Sequence, residues 1–214
     1  MNWPATNNPA SARATAGAVL ALALAGCAAL HYATAGFRAV STEAVRRLQV
    51  DERPLVLPAA RLEDSEGAPS TLNADARTAI VSFVYVRCQS VCRALGSELQ
   101  RMQEAIRARG AGDRVRLVTL SFDPRDDAEA LRAWGKGMRA DPALWRLYRI
   151  ADEGERRRLL DSFGVVVVPA PLGEFEHNAA FHLVDRDGRL VRIMDYADPA
   201  AALEAALALA AEDA

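Results

Sequence analysis

Lysine is almost missing from this sequence. Of its 26 Lys and Arg residues only Lys136 is a lysine, and 28 Asp and Glu bring the net charge to -2. Without a basic excess there is no electrostatic footprint for a nucleic acid. The near-exclusive use of Arg, beside abundant Ala, reads as the coding bias of a GC-rich genome rather than as chemistry. Cysteine is scarce too: three in 214 residues are too few for a disulfide scaffold. There is no internal repeat, and beyond the N-terminal stretch no linker is long enough to divide the chain again. What is present, 51% hydrophobic and 25% charged residues, is close to the globular norm and excludes both a disordered tail and a many-span membrane protein. The length suits one ordinary domain with an appendage.

Charge is absent from Ala14 to Phe37. Within that window Ala16 to Ala25 is an apolar run of the length of a signal-peptide core, preceded by Arg13. It ends in Leu24-Ala25-Gly26-Cys27, which resembles a bacterial lipobox, with Cys27 as the lipidated first residue of the mature chain. The competing reading is an uncleaved anchor helix, since Ala16 to Phe37 reaches the roughly 20 residues a span needs. Arg38, Arg46 and Arg47 on its far side argue mildly against export, but long domains translocate largely regardless of such charges. Residues 1–37 are thus expected to be a lipoprotein signal or membrane anchor, and 38–54, charged and irregular, a tether. Residues 55–214 would be the folded domain, tethered to the cell membrane and facing the periplasm. His31 sits in the anchor or tether without a partner at a sensible spacing and receives no role.

Ala79 to Val86, rich in β-branched and aromatic residues, predicts a buried strand. A helix follows from about Val91 to Arg109, with Val91, Leu95, Leu99, Met102 and Ile106 on one face and Gly110 as its stop. Val115 to Phe122 predicts a second strong strand. Asp126, with Glu129 three residues on, has the form of a capping box opening a helix that carries Leu131 and Trp134. A weaker strand near Leu144 to Ile150, a short helix through Leu159 and Leu160 to Phe163, and a strand from Val165 to Val168 ended by Pro169 come next. A hairpin pairs Ala180–Val184 with Leu190–Met194 across Asp185 to Gly188, and Asp198-Pro199 opens a terminal helix. The pattern is α/β with a mixed central sheet flanked by helices, in the order of a thioredoxin-like fold.

Cys88 and Cys92 stand where the first strong strand hands over to a helix. The partial positive charge and free N–H groups of a helix N-terminus favour thiolate over thiol. Four-residue spacing puts both sulfurs on one side of a turn, able to bite one soft metal ion or to close a disulfide. The same residues also extend the apolar stripe, as two buried core cysteines would.

The stretch Phe83-Val-Tyr-Val-Arg-Cys-Gln-Ser-Val-Cys92 resembles the signature of the Sco (SenC) copper proteins. The resemblance continues at Thr119 to Asp126, a strand followed by an Asp-Pro turn and a further Asp, and at His177 to Gly188, with its single His, short apolar strand and Asp-Gly turn. Phe163-Gly164-Val165 also fits, and the similarity runs from about residue 55 to 210. It implies Cys88, Cys92 and His177 as copper ligands. Thiolates suit Cu(I), and two thiolates with an imidazole also hold Cu(II) beside an oxygen donor. Asp123 is placed near the site as a supporting group behind the ligands, or else is a simple turn residue before Pro124. Arg93 replaces the Pro usual after the second Cys, and as a cation beside Cys92 it should lower that thiol's pKa. Glu176 fills the usually acidic position before His177. His182 is read as a structural imidazole, Trp134, Trp145 and Tyr148 as packing aromatics, and Arg156 to Arg158 as a solvated helix face.

The resemblance implies a membrane-tethered copper metallochaperone that binds one copper ion and assists assembly of the copper centre of cytochrome c oxidase. Its partner would be the copper-bearing subunit of the respiratory oxidase or another exported cuproprotein. The alternative is a thiol–disulfide oxidoreductase using Cys88 and Cys92 on exported cuproprotein cysteines, which has no need of His177. A peroxidase would require a different pattern around one activated Cys. A copper or redox sensor keeping the same fold is a further option.

Overall fold

The computed structural model describes residues 9–34, 36, 38–39, 41–88 and 91–212, with the side chains of 9–11, 91 and 92 outside the description. The chain divides into two compact units, residues 1–48 and 49–214. The first contains α1 (Pro9–Ala33), of which Ala12–Ala33 is long and apolar enough to cross a membrane. Cys27 is exposed within this continuous helix. Residues 38–54, expected to be irregular, instead contain α2 (Thr42–Glu52), which crosses the boundary between the units. Ser41 Oγ accepts from the Ala44 amide at its start, and Glu43 pairs with Arg47 one turn on. Those local pairs, and the burial of Val50 within the second unit's core, outweigh the charge that suggested irregularity.

The second unit is built on an eight-stranded sheet. Its strands are β1 (Leu55–Val56), β2 (Leu62–Asp64), β3 (Pro69–Ser70), β4 (Thr78–Val84), β5 (Val115–Ser121) and β6 (Trp145–Arg149), joined after a two-stranded β7 (Val167–Pro169) and β8 (Phe175–His177) by β9 (Ala180–Val184) and β10 (Arg189–Asp195). The order is β1-β10-β9-β4-β5-β6-β2-β3, while β7 and β8 form a separate antiparallel pair. β4–β5 and β5–β6 are parallel and β9 runs antiparallel to β4, so the sheet is mixed, as expected. All seven residues of β4 and all seven of β5 are buried, which requires cover on both faces.

That cover comes from the helices. α3 (Val91–Ala108) and α6 (Pro199–Glu212) pack on each other and on the central strands, and α4 (Ala128–Gly137) lies on β6. α5 (Glu153–Phe163) ends at Gly164, whose φ of 61° gives the left-handed cap that a Cβ would disfavour. Phe163 from this helix meets Phe83 edge-on, with ring centroids 5.0 Å apart. His182 on β9 is 2% exposed and packs edge-on to both rings, its Nδ1 3.4 Å from the Val81 carbonyl oxygen. It is a core imidazole, as read. Trp145 is fully buried against Trp134 and donates from Nε1 to Thr119 Oγ1 at 2.9 Å. Both tryptophans are packing groups.

Two local expectations change. The cap of α4 is Asp127, whose carboxylate accepts from the Ala130 amide at 2.8 Å. Asp126, expected there, turns inward to a different task. No strand was expected immediately before His177, yet Phe175–His177 forms β8 against β7. Cys88 lies at the handover between β4 and α3 as expected, its N–H donating to the Tyr85 carbonyl at 3.2 Å.

Candidate functional site

β4 and β5 run parallel, so their C-terminal ends finish side by side and deliver Tyr85 to Cys88 and Phe122 to Asp126 to one end of the sheet. In open α/β sheets this end is where ligands settle. Cys88 is 5% exposed. The Cys88 thiol sits beside the Tyr85 hydroxyl. That hydroxyl donates to Glu174 Oε2 at 2.6 Å and accepts from the Phe175 amide at 3.3 Å. Burial, then the bond to Glu174, raises the Tyr85 pKa well above the phenolic range, and Cys88 adds to the rise while the Phe175 amide N–H, donating to the phenolic oxygen, opposes it. Tyr85 is therefore a neutral donor that ties the cysteine turn to the segment bearing His177.

Two neighbouring aspartates hold the other strand end, and their environments push them apart. Asp126 accepts at Oδ2 from the Val86 amide at 2.9 Å and from the Ser121 hydroxyl at 2.6 Å. The Val86 N–H lies past the end of β4, where the ladder no longer supplies an acceptor, so the carboxylate replaces it. Burial raises the Asp126 pKa above 3.8, against the pull of those two donors. Asp123 is equally buried, and burial pushes it up as well. The Arg125 guanidinium, the Arg125 amide at 2.9 Å and Arg87 at 3.7 Å together overcome that and hold it below 3.8. Asp123 is thus more than a turn residue: it anchors the cation Arg125.

His177 ends β8, paired with Val167 of β7. Its ring packs edge-on against Phe122, with centroids 5.1 Å apart, and Phe122 in turn meets Tyr85 and Phe175. Burial lowers its pKa below 6.5, favouring the neutral imidazole. Its Nδ1 is buried and makes no hydrogen bond among the described residues. A buried ring nitrogen without a hydrogen-bond partner is costly, and in the tautomer that leaves Nδ1 unprotonated a metal ion is one way to satisfy it.

Cys88 and His177, 89 positions apart, therefore meet the same aromatic cluster of Tyr85 and Phe122. The side chain of Cys92 lies outside the described residues, as do Gln89 and Ser90, and among the described residues no group of three His, Cys, Asp or Glu is placed to hold a metal. Arg93 is exposed on the first turn of α3. The sequence reading missed Tyr85, Glu174, Phe175 and Arg125. Nothing in linear spacing marks the pairing of Tyr85 with Glu174, since both are ordinary residues of their own segments.

A parallel β4–α3–β5 core with an antiparallel β9–β10 arm and a cysteine turn at the strand ends defines a thioredoxin-like domain. The SCO1/SenC family model matches residues 58–212, and the chain belongs to that family. Among curated proteins none shows significant sequence similarity to it. Similar solved structures include a SCO1/SenC family lipoprotein from Bacillus anthracis, 20% identical, with a TM-score of 0.64 over 74% of this chain and 98% of that one. BsSco, a member of the Sco family of cytochrome c oxidase assembly proteins in which a disulfide switch was identified, is 19% identical with a TM-score of 0.60 over 73% and 96%. Bradyrhizobium japonicum ScoI with copper bound is 24% identical with a TM-score of 0.57 over 72% and 99%.

Proposed function

We propose that this protein is a membrane-tethered copper carrier that binds one copper ion through Cys88, Cys92 and His177 and assists assembly of the copper centre of cytochrome c oxidase. The observation that carries the reading is the orphaned, buried Nδ1 of His177 in the cluster that also contains Cys88. Two thiolates and a neutral imidazole suit copper in both oxidation states, as a redox metal in transit requires. The copper-bound ScoI structure and the assembly role of BsSco support it by kinship. Asp123 would act behind the ligands by fixing Arg125 and Arg87, rather than by touching the metal.

The copper is cargo, so the residues must hold it without enclosing it. The exposed Val166, Val168 and Leu172 of the β7–β8 segment would face an acceptor, the copper-bearing oxidase subunit or another exported cuproprotein. The N-terminal part would deliver this domain, 55–214, to the outer face of the cell membrane, through Cys27 lipidation or through α1 as a span, with 38–54 as tether. The lipoprotein kinship of the Bacillus anthracis structure favours the lipid.

The test is copper stoichiometry and absorption of the reduced protein beside His177→Ala. The expected result is about one copper with a sulfur-to-Cu(II) charge-transfer band, lost in the variant. Equal binding by His177→Ala removes His177 from the ligand set and leaves the Cys88–Cys92 pair as a thiol–disulfide oxidoreductase. Because burial keeps His177 neutral, its protonation should not oppose loading until pH falls below 6.5 through its lowered pKa, while protons compete for the two thiolates across the whole range.

A further inference from the structure

The segment that carries His177 has little of its own to hold it. β7 and β8 are three residues each, and the 3-10 turn between them, Pro171–Gly173, places Leu172 at a φ of 62° with its side chain wholly exposed. Two strand ends reach across to it. Beside the packing of the Phe122 and Tyr85 rings on this segment, one polar contact is the Tyr85 hydroxyl on Glu174 and Phe175, already described. The other is Arg125, whose guanidinium forks in three directions. Nε and Nη2 hold the Asp123 carboxylate at 2.8 and 2.7 Å. Nη2 also donates to the Gly173 carbonyl at 2.6 Å, and the guanidinium carbon lies over the Phe175 ring, 5.2 Å from its centroid. Gly173 has a φ of 74°, and a Cβ there would come within 2.8 Å of Arg125 Nη1, so the turn is shaped to admit the guanidinium.

We propose that Arg125 is a positioning residue: anchored by buried Asp123, it latches the Gly173–Phe175 stretch and so presets the approach of His177 to the cysteine turn. The proposal rests on His177 being a copper ligand, as argued above. Asp123 is the fixed post, since its carboxylate side chain is fully buried while that of Arg125 is 41% exposed. A lysine could keep the ion pair with Asp123 but has no planar fork to reach Gly173 and Phe175 at the same time. This separates a latch from mere charge neutralisation of a buried aspartate.

The experiment compares Arg125→Gln, Arg125→Lys and Gly173→Ala with the unaltered full chain. Hydrogen exchange is measured on the metal-free protein and Cu(II) affinity on the reduced protein. Amides of residues 166–175 should exchange several-fold faster in all three variants, with β4 and β5 unchanged as the internal control for folding. Copper affinity should fall on the order of ten- to a hundred-fold, the usual cost of losing a group that orients a ligand. Unchanged exchange in this segment overturns the latch, as does an Arg125→Lys form that behaves like the parent in both measurements. Faster exchange with undiminished copper affinity overturns the positioning role. If the parent protein itself binds no copper, the carrier reading has failed and takes the positioning role with it, which the parent's own titration reports separately from the exchange data.

Discussion

The β4–β5 pair and the β7–β8 pair show two ways of holding a strand in place. Every residue of β4 and β5 is buried, and their sequences are mostly β-branched and apolar, interrupted only by Ser82, Arg116 and Ser121. Such strands are specified by their own composition and by cover on both faces. The β7–β8 segment leaves Val166 and Val168 more than half exposed and is tied down by Tyr85 and Arg125 from the strand ends and by its own Asn178, which accepts from the Val166 amide at 2.7 Å and donates to the Gly164 carbonyl at 3.0 Å. The first pair forms a foundation. The second is a short arm held by a few polar contacts together with the packing of Phe175 and His177 on Tyr85 and Phe122, and His177 is on the arm.

The comparison breaks most visibly in the core. Phe163→Ala removes a fully buried ring from beside Phe83 and His182 and should cost about 3–5 kcal/mol of global stability by chemical denaturation. Asp126→Ala, at the junction of the two regions, strands the Val86 amide and the Ser121 hydroxyl in a buried site and should cost about 1–3 kcal/mol. Tyr85→Phe keeps the ring packing but deletes the tie to Glu174. About 1 kcal/mol or less is expected globally, with faster amide exchange confined to residues 166–175.

The smallest effect is in the pH profile, where the two aspartates should act oppositely. Asp126 has a raised pKa, so the folded state keeps a proton that the unfolded chain releases, and its contribution declines as pH rises from 3.8 to its folded value. Asp123 has a lowered pKa. Its contribution is fully present above 3.8 and is lost as pH falls through its folded value. Thermal melts of Asp126→Asn and Asp123→Asn between pH 2 and 6 should each abolish one of these slopes, and a shared effect of both variants on the same limb would contradict the assignment.

β4, α3 and β5, which carry the cysteine turn and the two aspartates, were legible to within a residue or two, because long apolar runs and helical stripes report burial directly. β8, which carries His177, was not, since three residues are too short for a periodic signal. Cys88, Cys92 and His177 stood out because their chemistry is rare in this chain and their order matched a known signature. Asp126 and Asp127 show where such reading stops. Either could cap α4 by spacing, and the choice fell to Asp127 because the Val86 amide, forty residues earlier, required the other carboxylate. α2 shows the same limit: its charges suggested an irregular stretch, while local ion pairs and the burial of Val50 made a helix.

By itself the sequence determined the order of the long strands and helices from β4 onward, the apolar N-terminal helix and the candidate ligands, since each depends on periodicity, composition or a motif within a short window. It gave no sign of α2, β1, β2, β3 or β8. Only the tertiary structure decided that Tyr85 answers Glu174, that Arg125 spans Asp123, Gly173 and Phe175, and that the His177 Nδ1 is buried without a donor. Those are long-range pairings of polar groups. They carry no periodic signal, and they exist only because the parallel pairing of β4 with β5 brings two distant strand ends to one end of the sheet and the β7–β8 arm meets them there.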